Sequence, residues 1–156
     1  EQETLTGGAM LFQTKIFKLL NGFDKNIFLY YEDNDYFTKC KIKKYKLFLI
    51  SNSYHFHKKK SSGSASFRNK NEKDYAYYLS GWHGQWSKFY YFSKNYSYLY
   101  ALKKFLPILT KLAFKYLLKM FSSKKERSLI KAEISGAIAS ILKRKSSYRP
   151  FIEKKL

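Results

Sequence analysis

The sequence predicts an α/β chain in which part of a mixed domain over residues 1–66 precedes a mostly helical, basic extension over residues 67–156. Three observations carry that reading. Two apolar, strand-like stretches, Leu5 to Phe12 and Lys46 to Ser51, flank two short helical patterns. From about Asn71 onward the apolar spacing is helical. The charge is also divided: residues 1–57 carry 8 basic and 6 acidic side chains, whereas residues 58–156 carry 23 and 5.

The elements follow in order. Gly7-Gly8 interrupts the first strand pattern, where a missing side chain lets a backbone or ligand approach closely. Thr14 to Leu20 reads as a helix that stops at Asn21-Gly22, residues that tolerate the left-handed turn closing many helices. A second helix is expected over Asn34 to Lys44 and a strand over Lys46 to Ser51, with His55 and His57 just beyond. Lys58 to Ser66 has the composition of a basic loop. Tyr75 to Lys94 is an aromatic helix, in which Trp82, His83 and Trp86 suit core packing more than sugar stacking. In Ser97 to Phe121, Lys104, Lys111, Lys115 and Lys119 share one helical face. Leu102, Phe105, Leu109, Leu112, Ala113, Tyr116 and Met120 fall opposite, and Pro107 should kink or restart the helix. That amphipathic helix suits either an anionic bilayer surface or packing on a domain. Ser123-Lys-Lys-Glu126 has the capping-box pattern that opens a last helix, and Lys143-Arg144-Lys145 complements the negative end of its dipole.

A net charge of +20 demands an anionic partner or tolerance of self-repulsion. Phosphates of a nucleotide, a nucleic acid and an anionic membrane all qualify. Only four of the 31 basic residues are arginine, which argues against base reading, where bidentate forks dominate. The single cysteine, Cys40, excludes an intrachain disulfide and a cysteine zinc cluster; a buried inert thiol is the expectation. No apolar run approaches the ~20 residues of a membrane-spanning helix. The chain opens on Glu1 with a strand pattern close behind, so it is expected to be a fragment of a longer domain.

The most informative stretch is Gly22-Phe23-Asp24 through Tyr31-Glu32-Asp33-Asn34-Asp35. Three crowded carboxylates behind an apolar run must be paired, metal-bound or shifted in pKa, as a general base requires. They would equally charge and cap the first turn of the following helix.

Thr6-Gly7-Gly8-Ala9-Met10, Gly22-Phe23-Asp24, Tyr31-Glu32-Asp33-Asn34-Asp35 and His57 before Ser61-Ser62-Gly63 together resemble the second half of a family 2 glycosyltransferase. The bacterial rhamnosyltransferase-like branch is the nearest likeness. The resemblance implies a partial GT-A (Rossmann-like) domain and an inverting hexosyltransferase, inactive as an isolated fragment. It implies Asp33 as catalytic base beside Glu32, and Gly7, Gly8, Asp35 and Lys39 on the acceptor side. His57 would approach a divalent metal (Mg or Mn), and Lys58 and Ser61 the diphosphate. Asp33-Asn34-Asp35 also spells Asp-x-Asp, but it follows Gly-Phe-Asp, so the metal-binding acids are expected upstream of Glu1. The implied partners are a nucleotide-sugar donor, a glycan or polyprenyl-linked acceptor and an anionic membrane surface, with no nucleic acid. The implied place is cytoplasmic, peripheral to the inner face of the plasma membrane, in cell-envelope polysaccharide biosynthesis. The alternative is a non-enzymatic basic module binding nucleic acid or an anionic membrane.

Overall fold

A computed structural model describes residues 9–54, 70–120 and 123–146. In chain order these form α1 (Thr14–Leu19), α2 (Glu32–Ile42), α3 (Lys70–Asn95), α4 (Tyr98–Leu118) and α5 (Lys124–Ile141). Among the described residues there is no strand. The expected α/β architecture with a Rossmann-like GT-A sheet is therefore overturned: the described fold is all helical. A strand exists only through hydrogen bonds to a neighbouring strand, and Lys46 to Ser51 has none among the described residues. Its Phe48, Leu49 and Ile50 are instead 62%, 67% and 61% exposed. Most of the Leu5 to Phe12 stretch, and the expected boundary at 66/67, lie outside the described residues.

Local chemistry sets the helix ends. Ser97 accepts the Tyr100 N–H at 3.1 Å to open α4, and Ser123 accepts the Glu126 N–H at 3.3 Å to open α5. Helices α1, α2 and α5 close with the same pair of backbone hydrogen bonds, whose last-turn acceptors would otherwise lack partners. In α1 these are Asn21 N–H to Lys18 and Gly22 N–H to Phe17; in α2, Lys44 to Lys41 and Tyr45 to Cys40; in α5, Lys143 to Ser140 and Arg144 to Ala139. The turn places Asn21, Lys44 and Lys143 at φ 56°, 59° and 54°, a region that disfavours a β-carbon. Helix α2 begins two residues ahead of expectation because Tyr30 and Tyr31, at φ 63° and 67°, turn the chain sharply into it.

Helix α3 packs most extensively on α5, and both pack on α4. The approach of α3 and α5 depends on Gly136: a β-carbon there would lie 2.8 Å from the Trp82 carbonyl carbon and 3.0 Å from its Cα. Around that point Trp82 and Trp86 are buried against Ala132 and Ala139. Further along, Phe89, Ala101, Phe105 and Ala137 form a second core. Helix α4 runs through Pro107 uninterrupted, held by the packing of Phe105, Ile108 and Leu109 on either side of it. Of the stripe considered for a bilayer, Phe105 and Leu112 are buried and Leu102, Leu109 and Tyr116 half-buried, whereas Ala113 and Met120 stay exposed. Most of that face packs within the protein. No described helix is long and apolar enough to cross a membrane.

The N-terminal residues build a third core. Leu20, Tyr36, Phe37 and Cys40 are buried, with Met10, Phe12, Ile16, Phe17 and Phe23 packed around them. Phe12, Phe17, Phe23 and Tyr36 meet ring to ring at 5.0 to 5.9 Å. Burial, then the neighbouring Cys40, pushes the Tyr36 hydroxyl up to about 12. Burial also raises the Cys40 thiol, so less of it is the reactive thiolate.

Candidate functional site

The acid cluster is where the N-terminal unit meets α3. Asp35 is fully buried. Its two oxygens each accept from Lys94 Nζ at 2.8 Å, and Asn95 donates to Oδ1 at 3.0 Å. Lys39, one helical turn on, lies 3.5 Å from Oδ2 and donates to the Gly22 carbonyl at 2.9 Å. The same Lys94 reaches Asp24 Oδ2 at 2.7 Å, which also accepts from the Tyr90 hydroxyl at 3.0 Å. Burial pushes the Asp24 carboxyl up. The Lys94 hydrogen bond, the Asn26 N–H, the Lys94 charge and the Tyr90 hydroxyl outweigh it and leave Asp24 below its ordinary value. Burial would lower Lys94, but its bonds to Asp24 and Asp35 and their charges leave it raised. Ser87 donating to the Leu29 carbonyl and Thr38 sharing a hydrogen bond with Tyr91, both at 2.8 Å, complete the seam.

This geometry gives Asp35 and Lys39 a structural occupation. Asp33 Oδ1 accepts from the backbone N–H and side-chain amide of Asn34 at 2.7 and 3.0 Å. One oxygen of half-buried Glu32 has no hydrogen-bond partner. Glu32, Asp33 and Asp35 all occupy the first turn of α2, where they complement its dipole. Gly7, Gly8, His57, Lys58 and Ser61 lie outside the described residues.

A cleft opens on the other side of Lys94, among the described residues, between the loop after Asp24, one side of α3 and the end of α5. It measures about 830 Å³, within the usual range of ligand sites. Lys25, Lys94, Lys143, Arg144 and Lys145 line it with no acidic residue, alongside Phe28, Trp86, Tyr90, Ser93, Ser140 and Ser146. Lys94 is engaged by Asp24 and Asp35; Lys25 and the basic turn after α5 supply the other cations of the lining. That turn is fastened to α3. The Trp86 indole N–H donates to the Arg144 carbonyl at 2.9 Å, and Ser146 Oγ lies 3.0 Å from Nδ1 of fully buried His83. Lys143 Nζ sits 5.5 Å from the Tyr98 ring centre. Trp86 and Tyr90 stack at 5.0 Å, and Phe28 lies 4.8 Å from the His83 ring.

None of Glu32, Asp33, Asp35 and Lys39 lines this cleft. The cleft residues were hidden in the sequence because they come from three separate segments. The local signals are the basic run Lys143-Arg144-Lys145 and Lys94, a basic residue one turn after Tyr90.

The functional expectations change accordingly. Without a sheet among the described residues, the identity as a family 2 glycosyltransferase, the hexosyl transfer and its transferase keywords are overturned. The expected divalent metal is overturned too. Among the described residues no three His, Cys, Asp or Glu side chains gather as a metal site would need; Asp35 is saturated by lysines, and Asp33 is engaged by Asn34. The nucleotide-sugar, glycan and polyprenyl partners lose the architecture that implied them. The alternative of a nucleic-acid or membrane module gains no specific support, since most of the amphipathic face of α4 packs inside. Compared with family models, curated proteins and solved structures, the chain matches none.

Proposed function

We propose that this chain is a binding module for a small organic anion, one that pairs a phosphate or carboxylate group with a flat apolar part. The observation that carries the reading is the convergence of cations from separate segments on one aromatic-walled cleft with no acid in its lining. Like charges so gathered repel one another, and an anion relieves that repulsion while the partly enclosed walls reduce screening. The lining serines Ser93 and Ser140 add neutral hydroxyl groups beside the charges. Phe28, half exposed, adds an aromatic ring to the lining.

The test is calorimetric titration of the full chain with phenyl phosphate and with inorganic phosphate. Phenyl phosphate should bind more tightly, and both should weaken with salt. Arg144→Glu should weaken binding about tenfold or more, a loss of about 1.4 kcal/mol. Lys103→Glu, an exposed reversal on α4, should change it little. Equal losses from the two reversals would reduce the cleft to diffuse surface charge and overturn the reading.

A further inference from the structure

We propose that Ser146 is a nucleophile activated by His83, giving the cleft an ester-cleaving activity toward carboxylic esters that carry an anionic group. The choice of substrate rests on the anion-binding reading; the Ser146–His83 geometry does not. Ser146 Oγ lies 3.0 Å from His83 Nδ1, within the reach that nucleophile activation requires. Ser146 is half-buried and lines the cationic cleft. His83 is fully buried, and its ring packs on Phe28 at 4.8 Å and on Trp82 at 4.7 Å. A base held in this way keeps its aim without help from solvent. The Trp86 indole N–H donates to the Arg144 carbonyl, two residues before Ser146, and so fastens the turn that carries the serine to α3.

With the ring proton on Nε2, Nδ1 accepts the Ser146 hydroxyl proton as Oγ attacks the ester carbonyl carbon. The carbonyl oxygen gains negative charge in a cleft lined by Lys25, Lys143, Arg144 and Lys145, where fixed cations act on it strongly. The tetrahedral centre collapses: the bond to the leaving alcohol breaks, and the proton on Nδ1 passes to that oxygen. Water then attacks the acyl-Ser146 ester and gives its proton to His83. The acid departs, and the serine hydroxyl is restored. No oxidant, metal or second substrate beyond water is required.

Mono-4-nitrophenyl succinate is the anionic probe and 4-nitrophenyl acetate its neutral counterpart. Nitrophenolate release is followed by absorbance, and the acyl adduct is located by mass spectrometry of the digested chain. The succinate ester should give a burst and a succinyl group on Ser146, and should react faster than the acetate. Ser146→Ala, a loss of one oxygen at a half-buried position, should remove both burst and adduct. His83→Gln should slow release by about 100-fold, a typical general-base contribution; should that variant not fold, Ser146→Ala still decides. Release unaltered by Ser146→Ala, or adducts on lysines alone, would overturn the assignment. If phenyl phosphate binds but the ester stays intact, the nucleophile falls and the anion cleft stands. If phenyl phosphate does not bind either, both readings fall.

Discussion

Lys94 donates to both carboxylate oxygens of Asp35, each at 2.8 Å, across 59 residues of sequence. It is the charge that makes a fully buried aspartate tolerable and joins the N-terminal aromatic knot to the helical bundle. A carboxylate without such a partner would be strongly disfavoured in the interior.

Replacing Lys94 with Met should therefore destabilise the protein by about 3 kcal/mol. Removing one partner of a buried pair costs roughly 3–5 kcal/mol; Lys39 and Asn95 remain, and the Lys94 side chain is 31% exposed, so the lower end applies. Urea denaturation would show it. A change within 0.5 kcal/mol, roughly that of an ordinary surface substitution, would contradict the bridge's importance.

The same bridge should show at both ends of the pH scale. Lys94 has a raised value in the folded protein, so its contribution is whole below the ordinary lysine value of 10.5 and is lost as pH climbs through the folded value. Asp24 has a lowered value, so its contribution is whole above 3.8 and is lost as pH falls through the folded value. The stability gap between wild type and Lys94→Met should be flat across neutral pH and narrow at both extremes. A gap that widens in alkali would contradict the sign.

Gly136→Ala should be worse than its size suggests. Its added carbon would press on the Trp82 backbone, which no rotamer change can move. Overpacking usually costs about 1–3 kcal/mol, and a backbone clash at the α3–α5 contact should reach the top of that range. Thermal melting with and without the substitution checks it; Gly84→Ala, whose nearest neighbour would be the Tyr30 ring at 3.7 Å, should be mild.

Lys44 and Lys143 separate stability from binding. Both hold left-handed φ values at helix ends, and glycine there should stabilise each by about 1 kcal/mol. Lys44→Gly should raise the melting temperature and leave phenyl phosphate affinity unchanged. Lys143→Gly should raise the melting temperature yet weaken that affinity, because it also removes a cleft cation. Equal affinities in the two variants would remove Lys143 from the site.

These positions also mark how far the residues could be read before folding. The stop at Asn21-Gly22, the Ser123 cap and the helical run of the second half are local devices, and each is present. Lys46 to Ser51 misled because apolar alternation describes only half of a strand; its partner strand is a matter of distant residues. The acid cluster was visible as crowded charge, but its resolution depends on Lys94, 59 residues away from Asp35. Lys143-Arg144-Lys145 read as dipole complement, and only the docking of α5 on α3 brings those residues opposite Lys25.

The contact of Gly136 with Trp82 also works as a register pin. One turn away on α5 stand Ala132 and Ser140, each bearing the β-carbon that the crossing point excludes. Sliding α5 along α3 by a turn, about 5.4 Å, would bring one of them into the Trp82 backbone. The helix pair is thus confined to a single alignment, and the basic turn after Ile141 inherits that alignment, so its charges reach the cleft at one fixed depth.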